Sequence, residues 1–127
     1  MKKNPVDWFE IPVTDMDRAV SFYETIFDIK LLRNLLGPLE MAWFPEAKTD
    51  SGSAGSLVLY KEYYKPSQDG VLLYFTAPSD DLSNELARVE NAGGKILIPR
   101  RKISDEFGFM AVVLDTEGNR IALHSRK

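Results

Sequence analysis

The chain has no cysteine and a single histidine. The first absence excludes disulfides, thiolate metal sites and a cysteine nucleophile. The second excludes any two-imidazole metal site within one subunit and leaves no readable Ser-His-Asp set. No run of 18 apolar residues exists, so nothing reads as a membrane span. No apolar stretch of signal-peptide length follows Lys2 and Lys3. Neither sign of charge dominates: 16 basic and 19 acidic residues leave a formal charge of -3. That gives no footprint for nucleic acid and no polybasic membrane anchor. Phosphate-binding glycine loops open a helix, whereas Gly93-Gly94 ends one. The expectation is a soluble, cytoplasmic protein with no nucleic-acid or membrane partner.

What is present is ordinary globular material: 127 residues, 44% hydrophobic and 28% charged. That suffices for one domain with one core. "VDWFEIPV" (6–13) is aromatic and β-branched, as a strand requires. The period then changes. Met16, Ala19, Val20, Tyr23 and Phe27 form a helical stripe, with Thr14 placed to cap it and Asp15 to favour its N-terminus. Strands are expected over 29–36 and 39–45, around a turn at Gly37-Pro38, and over 56–60, after a polar loop at 46–55.

Residues 61–70 form a polar connector, after which the order repeats. A strand is expected over 71–77 and a helix over 79–94. Ser79 would cap that helix, and Leu82, Leu86 and Val89 would lie on one face. Strands follow over 95–99, 107–115 and 119–125, the last two joined by a turn at Glu117-Gly118-Asn119. The chain is thus βαβββ written twice: module one about 1–60 and module two about 71–127, within a single domain of residues 1–127. An offset of 66 lays Trp8 on Tyr74 and Glu10 on Thr76. The expected class is α+β, with two modules forming a curved mixed sheet around a cleft and helices on the outer face.

That order, together with "EIPVTDMDRAVSFYETIF", "NAGGKILIP" and "DTEGNRIAL", resembles the glyoxalase / bleomycin-resistance / extradiol-dioxygenase superfamily, the vicinal oxygen chelate proteins. The resemblance covers nearly the whole chain and implies paired modules, usually in a homodimer. It also implies a metal, held by His, Glu or Gln at four strand positions. Here those positions carry Trp8, Tyr74, Ala122 and, within about two residues, Val58. None suits a divalent transition metal, so the family's metal chemistry does not transfer. No metal and no cofactor are expected.

If strand residues alternate between helix and cleft, then Trp8, Glu10, Val58, Tyr60, Tyr74, Ala122 and His124 share the cleft side. Phe9, Ile11 and Val13 fall under the helix. Such a cleft is aromatic with a few polar groups, the composition of a small-molecule pocket. Trp8 and Tyr74 either plug the vacated metal space or stack on a planar ligand. Glu10 reads as a structural acceptor, His124 as solvated or packed, and Arg100, Arg101 and Lys102 as a solvated basic run. Tyr63 and Tyr64 are placed to cover the cleft or a partner.

Three functions remain open. The favoured one is a metal-independent small-molecule-binding protein, similar to the drug-sequestering branch of the family. The second is a metal-free lyase or isomerase using Glu10, Tyr74 and His124 as acid–base groups. The third is an interaction module with a filled cleft. Whether any chemistry occurs is not legible in these residues.

Overall fold

Side-chain alternation decides which way the first strand faces. In β1 (Trp8–Pro12) Phe9 and Ile11, with Val13 just beyond, turn toward the core, while Trp8 and Glu10 turn away. The architecture comes from a computed structural model that describes residues 4–46 and 52–127. The polar loop expected at 46–55 therefore lies partly outside the described residues.

After β1 come α1 (Met16–Phe27), β2 (Leu32–Leu36), β3 (Leu39–Trp43) and β4 (Ala54–Leu59). Module two repeats the order with β5 (Leu73–Thr76), α2 (Leu82–Val89), β6 (Lys95–Ser104), β7 (Gly108–Leu114) and β8 (Arg120–Ser125). The strands form two four-stranded sheets, ordered β1-β4-β3-β2 and β5-β8-β7-β6. In each, the first strand runs parallel to the last, and the other pairings are antiparallel. A parallel pair needs a crossover, which the helix supplies. The expected α+β arrangement of two βαβββ modules is the one observed.

The two sheets adjoin at their edge strands β1 and β5. The rings of Phe9 and Phe75 meet edge to face there, 5.8 Å apart. A single core fills the helix side of both sheets. Phe22, Tyr23 and Ile26 of α1 and Leu82 and Val89 of α2 share it with Leu57, Ala111 and Leu123. Burying one such side chain contributes roughly 1.5–3 kcal/mol. Gly94 permits a close approach within this layer, because a Cβ there would lie 2.6 Å from both the Leu114 carbonyl and the Phe22 ring.

Several boundaries differ from expectation. Asp15, not Thr14, caps α1, its carboxylate accepting from the Arg18 N–H. Thr14 is turned to Glu117 instead: its N–H and hydroxyl donate to that carboxylate, and its Oγ1 accepts from Arg18 Nη2. Asp81, not Ser79, caps α2, while the Ser79 hydroxyl donates to buried Glu85. β6 runs on through Arg100, Arg101 and Lys102. Arg100 lies over the Phe109 ring, 3.7 Å from its centroid, and Lys102 pairs with Asp105. Arg101 and Lys102 pair with Met110 and Phe109 of β7, with a register shift on either side, so the basic run is strand and not loop.

A polar clamp joins the modules. The β7–β8 turn presents Asp115, Glu117 and Asn119 to the start of module one. Tyr23 donates its hydroxyl to Asp115 at 2.6 Å, and Asn119 Nδ2 donates to the Pro12 carbonyl at 2.7 Å. Glu117 accepts from the N–H groups of Thr14 and Asp15 at the N-terminus of α1, and from Arg18 Nε at 2.7 Å and Nη2 at 2.9 Å. A carboxylate at a helix N-terminus, held by a guanidinium fork, is favoured twice over. Its side chain is fully buried. Burial alone would raise its pKa. Arg18, the two backbone N–H groups and the Thr116 hydroxyl outweigh that and hold it at about 2.

Candidate functional site

The faces turned away from the helices carry the candidate residues, and the strand register says which of them meet. In module two the parallel pairing sets Tyr74 beside Ala122 and Thr76 beside His124. In module one it sets Trp8 beside Ala54, Glu10 beside Ser56 and Pro12 beside Val58. Ala54 therefore stands in module one where Ala122 stands in module two. Val58 lies on the same face, four residues further along. Tyr60 lies just past the end of β4.

The seven residues fall into two groups. On sheet one, Trp8 donates its indole N–H to Glu10 at 3.2 Å, and Tyr64 donates to the other oxygen of Glu10 at 2.7 Å. The bond to Glu10, with smaller contributions from burial and charge, raises the Tyr64 phenol above its ordinary value. Tyr64 is thus a poorer acid than a free tyrosine. Tyr60 packs its ring near Tyr63 and Tyr64 and donates its own hydroxyl to Glu62. The connector is in this way drawn against β1. Val58 is fully buried beside Met41.

On sheet two, Ala122 is fully buried in a satellite cluster with Met110 and Val112. Tyr74 is half exposed, at 50%, and lines a cavity of about 390 Å³ with Phe9, Phe44 and Thr76. His124 sits within β8, and its Nε2 donates to the Phe107 carbonyl at 2.6 Å. That bond fixes the Nε2–H tautomer. Among the described residues no hydrogen bond joins Glu10, Tyr74 and His124 to one another.

Trp8 is 38% exposed and Tyr74 more so, so neither plugs a filled core within this chain. The residues that reading the sequence missed lie beside Trp8. Trp43 meets it edge to face, with centroids 5.6 Å apart. Ser56 is the cross-strand partner of both Trp43 and Glu10. The Trp43 Nε1 and the Ser56 Oγ are both buried and, among the described residues, have no hydrogen-bond partner. The signal for Trp43 was its parity in "LEMAWFP", which puts Met41 and Trp43 on one face. For Ser56 there was none short of the register.

The positions where the resemblance places metal ligands hold an indole, a phenol and aliphatic side chains. Among the described residues no three His, Asp or Glu side chains gather as a metal site. The donor set does not fit a divalent transition metal.

Among the described residues no helix is long and apolar enough to cross a membrane. No curated protein matches the chain. Solved structures do. A glyoxalase I variant from Zea mays matches with a TM-score of 0.74 and 20% identity, over 98% of this chain and 47% of that one. The chain thus spans about half the length of the maize enzyme. A family enzyme from Burkholderia phytofirmans matches with a TM-score of 0.69 and 15% identity, over 96% of this chain and 100% of the other. An antibiotic-binding protein from Streptomyces matches with a TM-score of 0.65 and 24% identity, over 100% and 99%. At these identities the likeness is one of fold. The family model of the Glyoxalase/Bleomycin resistance protein/Dioxygenase superfamily matches residues 6–123. With the doubled βαβββ order and the clamp between its two motifs already in view, the chain belongs to that superfamily.

Proposed function

We propose that the protein binds a small planar molecule, without a metal and without turnover, on the open face of sheet one beside Trp8. The observation that carries this reading is a pair of buried donors, Trp43 Nε1 and Ser56 Oγ, next to that exposed indole and unpartnered among the described residues. Each unpaired polar group costs roughly 1–3 kcal/mol. A ligand carbonyl or phenolate would satisfy both, while its ring stacks on the tryptophans. Trp8, the exposed member of the pair, is the side chain that moves to admit it. Tyr74, Ala122 and His124 complete the set from the second sheet. The antibiotic-binding relative from Streptomyces supports a binding role by analogy of fold.

A second copy of the chain is the proposed cover for these faces. Leu32, 65% exposed, Leu36, Trp8 and Tyr74 are large apolar side chains left uncovered on them, the kind of surface that marks an interface. A reducing cytoplasm is the proposed location, since the chain carries no cysteine.

The test is metal analysis of the purified protein beside a thermal-shift screen of aromatic metabolites and antibiotics. Native-state ligands raise apparent stability by mass action. The expected result is no stoichiometric metal and a shift with an aromatic compound that disappears in Trp8→Ala. Tightly held stoichiometric metal, or a panel hit indifferent to Trp8, would overturn the reading.

A further inference from the structure

A different cavity, of about 270 Å³, opens at the seam where β1 meets the starts of β5 and β8. Its floor is apolar, formed by Phe9, Ile11, Leu73 and Ile121. Its rim carries two cations, Lys65 and Arg120, and one carboxylate, Glu10. Glu10 is already engaged by Tyr64 and Trp8. Among the described residues neither cation forms an ion pair.

Arg120 is the most telling of these groups. A guanidinium has five N–H donors. Among the described residues it makes one hydrogen bond, from Nη2 to the Gly70 carbonyl at 3.4 Å, at the long limit for such a contact. Its Nε is buried and has no partner among the described residues. Nε and Nη2 form one edge of the guanidinium fork, the edge that a carboxylate matches with two parallel bonds. So a charged, under-bonded fork stands over an apolar floor, with a second free cation close by.

We propose that this seam binds a small organic carboxylate with an apolar body. The carboxylate would sit on Arg120, with Lys65 adding charge, and the body would lie between Phe9, Ile11, Leu73 and Ile121. The volume is slightly below the roughly 300–1,000 Å³ of drug-sized sites, so the ligand is a short chain or a single ring. Both modules and the connector line the cavity, so its occupant braces one module against the other. This inference does not rest on the aromatic site beside Trp8.

The test is an amide NMR titration with hexanoate, 1-hexanol and hexylamine, which share one chain length and differ in charge. The amides of Ser67, Gly70 and Val71 report on the seam, and the Trp43 indole N–H reports on the other face. Hexanoate is expected to move the seam amides saturably and leave the indole signal in place. 1-Hexanol should bind roughly tenfold more weakly, the loss of one charge-assisted bond, and hexylamine more weakly still. Arg120→Gln should abolish hexanoate binding. Lys65→Gln, at an exposed position, should weaken it several-fold without risk to the fold. Equal binding of hexanoate and 1-hexanol would reduce the seam to an apolar crevice and overturn the proposal. So would the lack of a saturable shift at these amides, or hexanoate binding indifferent to Lys65→Gln in a folded protein.

Discussion

Tyr23 and Asp115 lie 92 residues apart in sequence and 2.6 Å apart in space, phenol to carboxylate, both buried. Burial, and then the neighbouring Asp115 charge, push the Tyr23 phenol well above its ordinary value, so it stays a donor at any workable pH. Asp115 Oδ1 is held by the N–H groups of Glu117 and Asn119, and Oδ2 by Tyr23 and by Asn119 Nδ2. The carboxylate thus shapes the turn that carries the clamp.

Tyr23→Phe keeps the ring packing and removes one of those four bonds. A buried carboxylate oxygen losing a charge-assisted partner costs about 1–3 kcal/mol. The urea midpoint should fall accordingly, with an unchanged slope. An unchanged midpoint would mean that the bond contributes nothing to holding the modules together.

Glu117 sets a pH dependence whose sign follows from its depressed pKa. Its ordinary value is 4.5 and its folded value about 2. The unfolded chain therefore takes up the proton first as pH falls. The stabilisation is complete above about 4.5 and is lost progressively toward 2. A shift of this size corresponds to about 3 kcal/mol at neutral pH. Urea unfolding of the wild type and Glu117→Gln across this range should give curves far apart at neutral pH and converging near pH 2. Parallel curves would show that the clamp is not charge-assisted.

The clamp also accounts for what was legible in the sequence. "PVTDMDRAVSFY" and "DTEGNRIAL" stood out as motifs because Thr14, Arg18 and Tyr23 of one bind Asp115 and Glu117 of the other. Side-chain parity placed Phe9, Ile11 and Val13 correctly in the core. Caps were misread because Thr14 and Ser79 each have a long-range or turn-bound use that local spacing does not reveal. The site was half legible. Parity put Trp8, Glu10, Tyr74, Ala122 and His124 on the cleft side, away from the helices, but parity alone does not say which strands adjoin. Cross-strand register brings Trp43 and Ser56 to Trp8, and connector geometry brings Tyr64 to Glu10.

Asp28 ends α1 in the left-handed region, at φ 54°, with its N–H donating to the Glu24 carbonyl. An L-residue pays for that conformation, and glycine does not. Asp28 is exposed, and the cap bond comes from its backbone N–H. Asp28→Gly should stabilise the protein by up to about 1 kcal/mol, seen as a higher thermal midpoint. A lower midpoint would show that the aspartate side chain supports the cap after all.

Ser56 offers the sharpest contrast between stability and binding. Its hydroxyl is buried on the face of sheet one turned away from the helices, without a partner among the described residues. In a residue whose role is packing, such a group is pure cost, and Ser56→Ala should relieve it, raising stability by about 1 kcal/mol. The same change removes a donor from the proposed ligand site, so affinity for an aromatic ligand should drop roughly fivefold to tenfold. Trp43→Phe probes the second donor in the same way: it keeps a ring against Trp8 and removes the orphan N–H. Stability up and affinity down, in both variants, is the signature of polar groups retained for a ligand. The two quantities are measured on the same samples, by urea unfolding and by titration monitored through tryptophan fluorescence. If Ser56→Ala destabilises the protein, its hydroxyl serves the fold. If it stabilises the protein and leaves affinity untouched, the ligand sits elsewhere on this face.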